Sequence, residues 1–292
     1  MIICVTVTYN PDFDILIQSL SSISNQVDRV YVIDNGSLSP FHDRLSFDNV
    51  SFYSLGDNFG IGYAQNYGMN LALDLEPDFI MLSDQDTIYP KHYCSTMSDS
   101  LLSHSEACVV APLFEDARSK KVTEFFPENT YFLTKFRPKS GYYYISQAIA
   151  SGMFIRVSSL KEIGIMNEDL FIDWVDFEWC WRATFYGYRI LLNSDVKVLH
   201  YLGDSTLDSP FGSLEMRSPL RHYYITRNAF FLSLYCNYLP YPKRFTLFVR
   251  SLRYLVGFPV LCNPHVENLK LVCLAFFHGL RKVQGKLKRF DS

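Results

Sequence analysis

The chain has 292 residues, 48% of them hydrophobic, with a formal net charge of -3, which fits a globular protein of one large domain or one domain with an appendage. The charge is divided: the first 216 residues carry 14 bases against 28 acids, and residues 217–292 carry 13 bases against two, so two regions with different partners are expected. Seven cysteines without a CxxC pair argue against a disulfide framework and a structural zinc site, and predict reduced, mostly buried thiols.

Met1-Ile2-Ile3-Cys4-Val5-Thr6-Val7 lacks the basic start and small-residue cleavage site of a signal peptide and reads as a buried first strand, so a cytoplasmic protein is expected. Apolar runs at Ile2 to Val7, Arg29 to Ile33, Val50 to Ser54 and Phe79 to Leu82 read as strands. Helix-length segments at Phe13 to Ser24 and Gly62 to Leu75 fall between some of them, and this alternation predicts an α/β fold with a mostly parallel central sheet flanked by helices. In the second helix Ala64, Tyr67, Met69, Leu71 and Ala72 form an apolar stripe suited to lying on the sheet. Residues 115–147 read as an irregular loop, Gln147 to Val157 as a strand, Ser158 to Glu162 as a helix and Phe171 to Trp181 as another. Val196 to Leu199 reads as a strand, and the sequence turns basic and aromatic from about residue 217. The domain expectation is a catalytic region over 1–216 and a helical region over 217–292.

In open α/β sheets ligands bind at the carboxyl ends of the strands, and polar turns follow the strands here. Asp84-Gln85-Asp86 closes the apolar run Phe79 to Leu82. Two carboxylates at i and i+2 can hold one hard divalent cation and leave positions for a diphosphate and water, although short acidic turns are commonly only solvated. Asp34-Asn35-Gly36-Ser37 follows Val30 to Ile33. It reads as an ordinary turn, or as a carboxylate placed to accept from a pyrimidine N–H or a ribose hydroxyl. Asn58 to Gly68 carries glycines at 60, 62 and 68 where a loop passes into a helix, which allows close backbone approach and favours anions at the helix start. It is not the dinucleotide fingerprint, which would follow the first strand. In Phe171 to Arg182 three acids sit among aromatics. On a helix Asp173 and Asp176 would be neighbours and Glu178 would pair with Arg182, while a carboxylate among apolar rings can serve as a general base. His200 ends the strand Val196 to Leu199, where a histidine is structural unless the aspartates converge on it.

The ordered set "TYNP", "VIDNGS", "DNFGIGYAQNYG", "LSDQDT", "ASGMFIRVSSLKEIG", "FIDWVDFEWCWRATFYGYRI" and "VLHYLGDST" resembles glycosyltransferase family 2, inverting enzymes of the GT-A fold, and within it the rhamnosyltransferases of bacterial surface polysaccharide and O-antigen assembly. The resemblance runs from residue 1 to about 230. It implies a nucleotide-sugar donor, dTDP-L-rhamnose first and another dTDP- or UDP-sugar behind it, with Mg²⁺ or Mn²⁺ as cofactor. It implies that Asp86 binds the metal, that Asp84 supports the ribose or the metal's water shell, and that His200 joins the metal site. By the same resemblance Asp34 reads the pyrimidine, and Thr8, Tyr9, Asn10, Asn35, Asn58, Gly60 and Asn66 line the nucleotide. Asp176 is then the base that deprotonates an acceptor hydroxyl, with Asp173 the alternative because Val175 stands where the family often has Glu. The implied acceptor is a glycan carried on a polyprenyl diphosphate.

Intact Asp84, Asp86 and Asp176 argue against a binding protein without turnover, and the absence of a QxxRW element argues against a processive synthase. Residues 217–292 contain no apolar run of about 18 residues, the length of a bilayer-spanning helix. Their aromatic and cationic mixture suits either the inner surface of an anionic membrane or packing on the catalytic domain or a second subunit. The acidic remainder and the lack of a recognised motif speak against nucleic acid.

Overall fold

The computed structural model describes residues 1–39, 47–116, 120–128, 135–200, 206–207 and 214–288. These form two compact units, the first made of Met1–Met166 with Asp176–Leu202 and the second of Asn167–Val175 with Gly203–Ser292.

The first unit is built on one sheet. Strands β1 (Ile2–Thr8), β2 (Arg29–Asp34), β3 (Val50–Ser54) and β4 (Phe79–Asp84) lie side by side in the order β3-β2-β1-β4, all parallel. The buried strands β1, β2 and β4 read as continuous apolar runs because both faces are covered. Helices α1 (Phe13–Ile23) and α2 (Ile61–Leu73) make the crossovers β1–β2 and β3–β4, and Asp12 caps α1 by accepting from the N–H groups of Asp14 and Ile15. The chain leaves β1 toward β2 and β3, then returns to β4 on the other side of β1. That reversal opens a crevice at the carboxyl ends of β1 and β4.

Beyond β4 the sheet is mixed. After the turn strand β5 (Thr87–Ile88) and helix α3 (Tyr93–Ser103), β6 (Ala107–Asp116) runs parallel to β9 (Arg189–His200). Strand β7 (Tyr142–Ile145) pairs antiparallel with β9, and β8 (Phe154–Arg156) sits antiparallel between β4 and β6. β6 and β7 fall at the two ends of the stretch expected to be a loop, and only three residues of the expected strand at Gln147 to Val157 are extended. Helix α4 (Val157–Ile163) agrees with the expected helix.

The α2 stripe differs from expectation. Tyr67 is exposed, whereas Gln65, Asn66 and Gly68 are buried with Ala64, Met69 and Ala72. Gly68 lets the helix touch the sheet: a Cβ there would lie 2.3 Å from Val5 Cγ1 and 3.0 Å from Ile33 Cγ1. Gly68→Ala is therefore expected to destabilise the protein by about 1–3 kcal/mol, read as a lower midpoint in urea at unchanged slope. All seven cysteines are free and six are buried, Cys273 being exposed. Burial pushes the Cys4 thiol up to about 12, so it is inert at neutral pH.

The second unit contains a two-stranded ribbon, β10 (Thr206–Leu207) with β11 (Leu214–Glu215), and helices α6 (Pro219–Tyr235), α7 (Tyr241–Leu261) and α8 (His265–Leu280). Helix α5 (Val175–Phe185) begins where this unit gives way to the first. The expected helix over Phe171 to Trp181 is displaced by four residues toward the C-terminus, at the same length. Phe171, Asp173 and Trp174 have φ of 64°, 61° and 68°, so α5 starts only at Val175. Among the described residues no helix is long and apolar enough to cross a membrane.

Candidate active site

The register places the acids. Thr8 is level with Asp34 on β2, and Val7 with Asp84 on β4, so Asp34 and Asp84 flank the end of β1 at the crevice. Asp34 is only 4% exposed. Its carboxylate accepts from Thr8 Oγ1 at 3.1 Å, from the Ser37 N–H at 3.0 Å and from the Ser37 hydroxyl, the donors that a buried anion requires.

The loops after β1, β2 and β3 are tied into one rim. The Asn10 N–H donates to Ser37 Oγ, and Asn10 Oδ1 accepts from the Leu38 N–H, both at 2.8 Å. Asn35 donates to Asn58 Oδ1 at 3.2 Å and accepts from the Phe59 N–H at 2.9 Å, while Asn58 Oδ1 also accepts from the Gly60 N–H at 3.0 Å. Gly36, at φ 84°, permits this lacing: a Cβ there would lie 2.4 Å from the Asp57 carbonyl carbon. Tyr9 and Phe59 stand exposed on the rim. Asn66 does not join it. It is buried, donates to the Met166 carbonyl at 2.9 Å and accepts from the Met166 N–H at 2.8 Å, so it holds the chain after α4 against α2.

Asp84 ends β4, and Gln85 and Asp86 form the turn into β5, where Thr87 is level with His200 of β9. Asp116 of β6 is level with His200 on its other side. The side chain of His200, expected at the metal, lies outside the described structure. Gln85 is a residue that sequence reasoning missed. Its Oε1 accepts from the Tyr9 N–H at 2.8 Å and couples the acidic turn to the loop after β1; the only signal for it was its position between two acids.

Among the described residues no three His, Cys, Asp or Glu side chains form a ready-made cation cage. The half-buried Asp84 and Asp86 are hard oxygen donors one residue apart, and Mg²⁺ typically takes one or two protein carboxylates and fills its sphere with substrate phosphates and water. The donor set fits a Mg²⁺ or Mn²⁺ that arrives with a diphosphate.

Asp176 is the second residue of α5. Its Oδ1 accepts from the Phe177 N–H at 2.9 Å and its Oδ2 from the Ala150 N–H at 3.1 Å. Ala150 belongs to a strap fastened to the acidic strand: the Gly152 N–H donates to the Leu82 carbonyl at 2.8 Å, the Leu82 N–H to the Met153 carbonyl at 2.9 Å, and Ser151 Oγ lies 2.6 Å from Thr87 Oγ1. Asp176 is thus built onto the strand that carries Asp84. Asp173 is not its helical neighbour. Its carboxylate is gripped by Arg221, whose Nη2 and Nε donate at 3.1 and 3.2 Å. Glu178 does pair with Arg182 as expected, at 3.0 Å, and is buried. Arg182 continues to the carbonyls of Ile163 and Ile165, so this pair secures α5 to the end of α4.

Residues 3–164 match the family model described as Glycosyl transferase family 2, a span that holds Asp34, Asp84 and Asp86 but not Asp176. The dTDP-rhamnosyl transferase RfbF of Shigella flexneri is 30% identical over 291 residues, 97% of each chain. Among solved structures, S. aureus TarS 1–349 in complex with UDP-GlcNAc aligns over 97% of this chain and 81% of its own at 17% identity, with a TM-score of 0.59. The mannosyltransferase PcManGT of Pyrobaculum calidifontis, in complex with GDP-Man and Mn²⁺, aligns over 98% and 76% at 14% identity, with a TM-score of 0.53. These two share the GT-A fold. With the crevice at the β1–β4 reversal lined by the acids that the family motifs carry, and a full-length relative at this identity, the chain belongs to glycosyl transferase family 2 and is a rhamnosyltransferase-like glycosyltransferase.

Proposed function

We propose that the protein transfers L-rhamnose from dTDP-L-rhamnose to a hydroxyl of a glycan carried on a polyprenyl diphosphate, in the assembly of a bacterial surface polysaccharide such as an O-antigen, with inversion at the anomeric carbon. The observation that carries the donor is the 30% identity, over 97% of both chains, to a dTDP-rhamnosyl transferase. Asp34 accepts from the thymine N–H, its oxygens oriented by Thr8 and Ser37. Tyr9, Asn10, Asn35, Asn58 and Gly60 shape the rim on which the nucleoside lies. Asp84 and Asp86 would hold the cation, with His200 as a further ligand. When bound, Mg²⁺ or Mn²⁺ neutralises part of the charge that builds on the departing diphosphate.

Asp176 takes the proton of the acceptor hydroxyl, held ready by two backbone N–H groups. The hydroxyl oxygen attacks the anomeric carbon from the face opposite the diphosphate. The new C–O bond forms as the bond to the diphosphate oxygen breaks, and dTDP leaves with that electron pair. A single displacement inverts the centre.

Calorimetric titration of the purified protein with dTDP-rhamnose, UDP-glucose, UDP-galactose and GDP-mannose, each with Mn²⁺ and with EDTA, tests the reading. Metal-dependent binding of dTDP-rhamnose alone is expected. Tighter binding of another nucleotide sugar would replace the donor and keep the chemistry, and donor binding without turnover on any lipid-linked acceptor would favour a binding protein.

A further inference from the structure

At one end of the helical unit three helix termini meet. Helix α6 finishes at Tyr235, where Arg244 near the start of α7 donates to the carbonyls of Ser233 and Leu234. The Tyr235 hydroxyl donates to the carbonyl of Leu280, the last residue of α8, at 2.7 Å, and Lys282 lies over the Tyr235 ring. Further in, Phe230 packs edge-on against both Phe248 of α7 and Phe276 of α8, so the start of α7 and the end of α8 are level.

This end exposes apolar side chains that a closed bundle would bury. Tyr241 is 83% exposed, Phe245 68% and Phe277 55%, with Leu280 and Val283 beside them in the chain. Tyr241 and Phe245 are one turn apart and begin a stripe that continues through Val249, Leu252 and Val256. Two exposed cations are here too, Arg281 and Lys282; Lys286 and Lys288 lie farther back along the helices, where the Gly285 N–H donates to the Asp169 carbonyl and the Leu287 N–H to the Tyr224 hydroxyl. The one acid among described residues 217–288 is Glu267, in the first turn of α8 and roughly 20 Å along the helix from Leu280.

We propose that this end of the helical unit docks on an anionic phospholipid surface, its rings and aliphatic side chains entering the headgroup boundary while Arg281 and Lys282 meet lipid phosphates. The charge selects this occupant. A second copy in a two-fold contact would set the same basic end against itself. Exposed aromatic and aliphatic residues with adjacent cations are the interfacial pattern that an anionic bilayer satisfies. This inference stands apart from the donor assignment, since vesicle binding is measured without a sugar nucleotide.

The test is flotation of the full-length protein with phosphatidylcholine vesicles, with and without phosphatidylglycerol, at low and high salt. The wild-type chain is expected to float with the anionic vesicles, to prefer them clearly over neutral ones and to weaken as salt rises. The double change Arg281→Gln with Lys282→Gln should lower partitioning on the order of thirtyfold, and Phe245→Ser with Phe277→Ser by about tenfold or more. Unchanged thermal midpoints and donor titrations would show that both variants are folded. Equal flotation of wild type and variants, or none with any vesicle, would overturn the proposal. So would concentration-dependent dimerisation without vesicles that Phe245→Ser abolishes, which would make the face an interface between copies.

Discussion

Asp176→Asn is expected to abolish transfer while leaving the donor bound. Loss of a general base costs roughly 10²–10⁴-fold in rate, measured as dTDP release in the presence of a lipid-linked acceptor fraction. The carboxylate sits in the first turn of α5 and accepts from two backbone N–H groups, which fix the direction of its oxygens. Asparagine keeps the shape but turns one of those acceptors into an NH₂ that faces an N–H. A stability loss of about 1–3 kcal/mol should therefore accompany the change, and donor affinity measured by calorimetry separates that loss from the catalytic one. Asp173→Asn provides the contrast. It breaks the fork from Arg221 at a left-handed residue that asparagine tolerates, so it should lower stability and spare a larger part of the turnover. If Asp173→Asn stops transfer and Asp176→Asn does not, the two roles are exchanged.

The contrast between these aspartates also marks where the sequence stopped being legible. β1 to β4 were readable because a buried parallel strand is a continuous apolar run, and their observed limits differ from expectation by at most two residues. The acids at their ends were readable because the strands were. The chain from 169 to 174 was not. Phe171, Asp173 and Trp174 hold left-handed backbone without glycine, through partners about fifty residues away. Asn228 Nδ2 donates to the carbonyls of Leu170, Ile172 and Asp173, Arg227 to that of Leu170, and Trp174 Nε1 to that of Ile225. A local pattern of acids and aromatics carries no trace of those bonds and reads as a helix. β6 and β7 were hidden for a related reason, since both pair with β9, far along the chain. In α2 an apolar count favoured Tyr67 over Asn66, but the buried face is chosen by what reaches Met166 and by where only glycine fits.

Asp86→Ala is expected to change the sign of the metal's effect on donor binding. Asp84 and Asp86 stand one residue apart at the strand end where the proposed donor diphosphate would lie, so without a cation the site presents two negative charges to an anionic ligand. With Mn²⁺ those charges become ligands, and the same carboxylates favour the donor. Removing Asp86 should lower dTDP-rhamnose affinity in Mn²⁺ by two or more orders of magnitude, the scale of about 3 kcal/mol or more that losing one partner of a desolvated charge pair costs. In EDTA the variant should bind the donor somewhat more tightly than the wild-type protein, because one repulsive charge is gone. Two titrations of each protein give all four affinities, and a thermal midpoint confirms that the turn still folds. A lost carboxylate that merely supported the turn would weaken binding equally in both conditions. Asp84→Ala should show a smaller effect of the same kind, since Asp84 is held in the β1–β4 ladder opposite Val7 while Asp86 lies in the turn beyond it. If Asp86→Ala keeps the full Mn²⁺-dependent gain, the cation is held elsewhere, and the side chain of His200, whose backbone is level with Thr87, is the next residue to change.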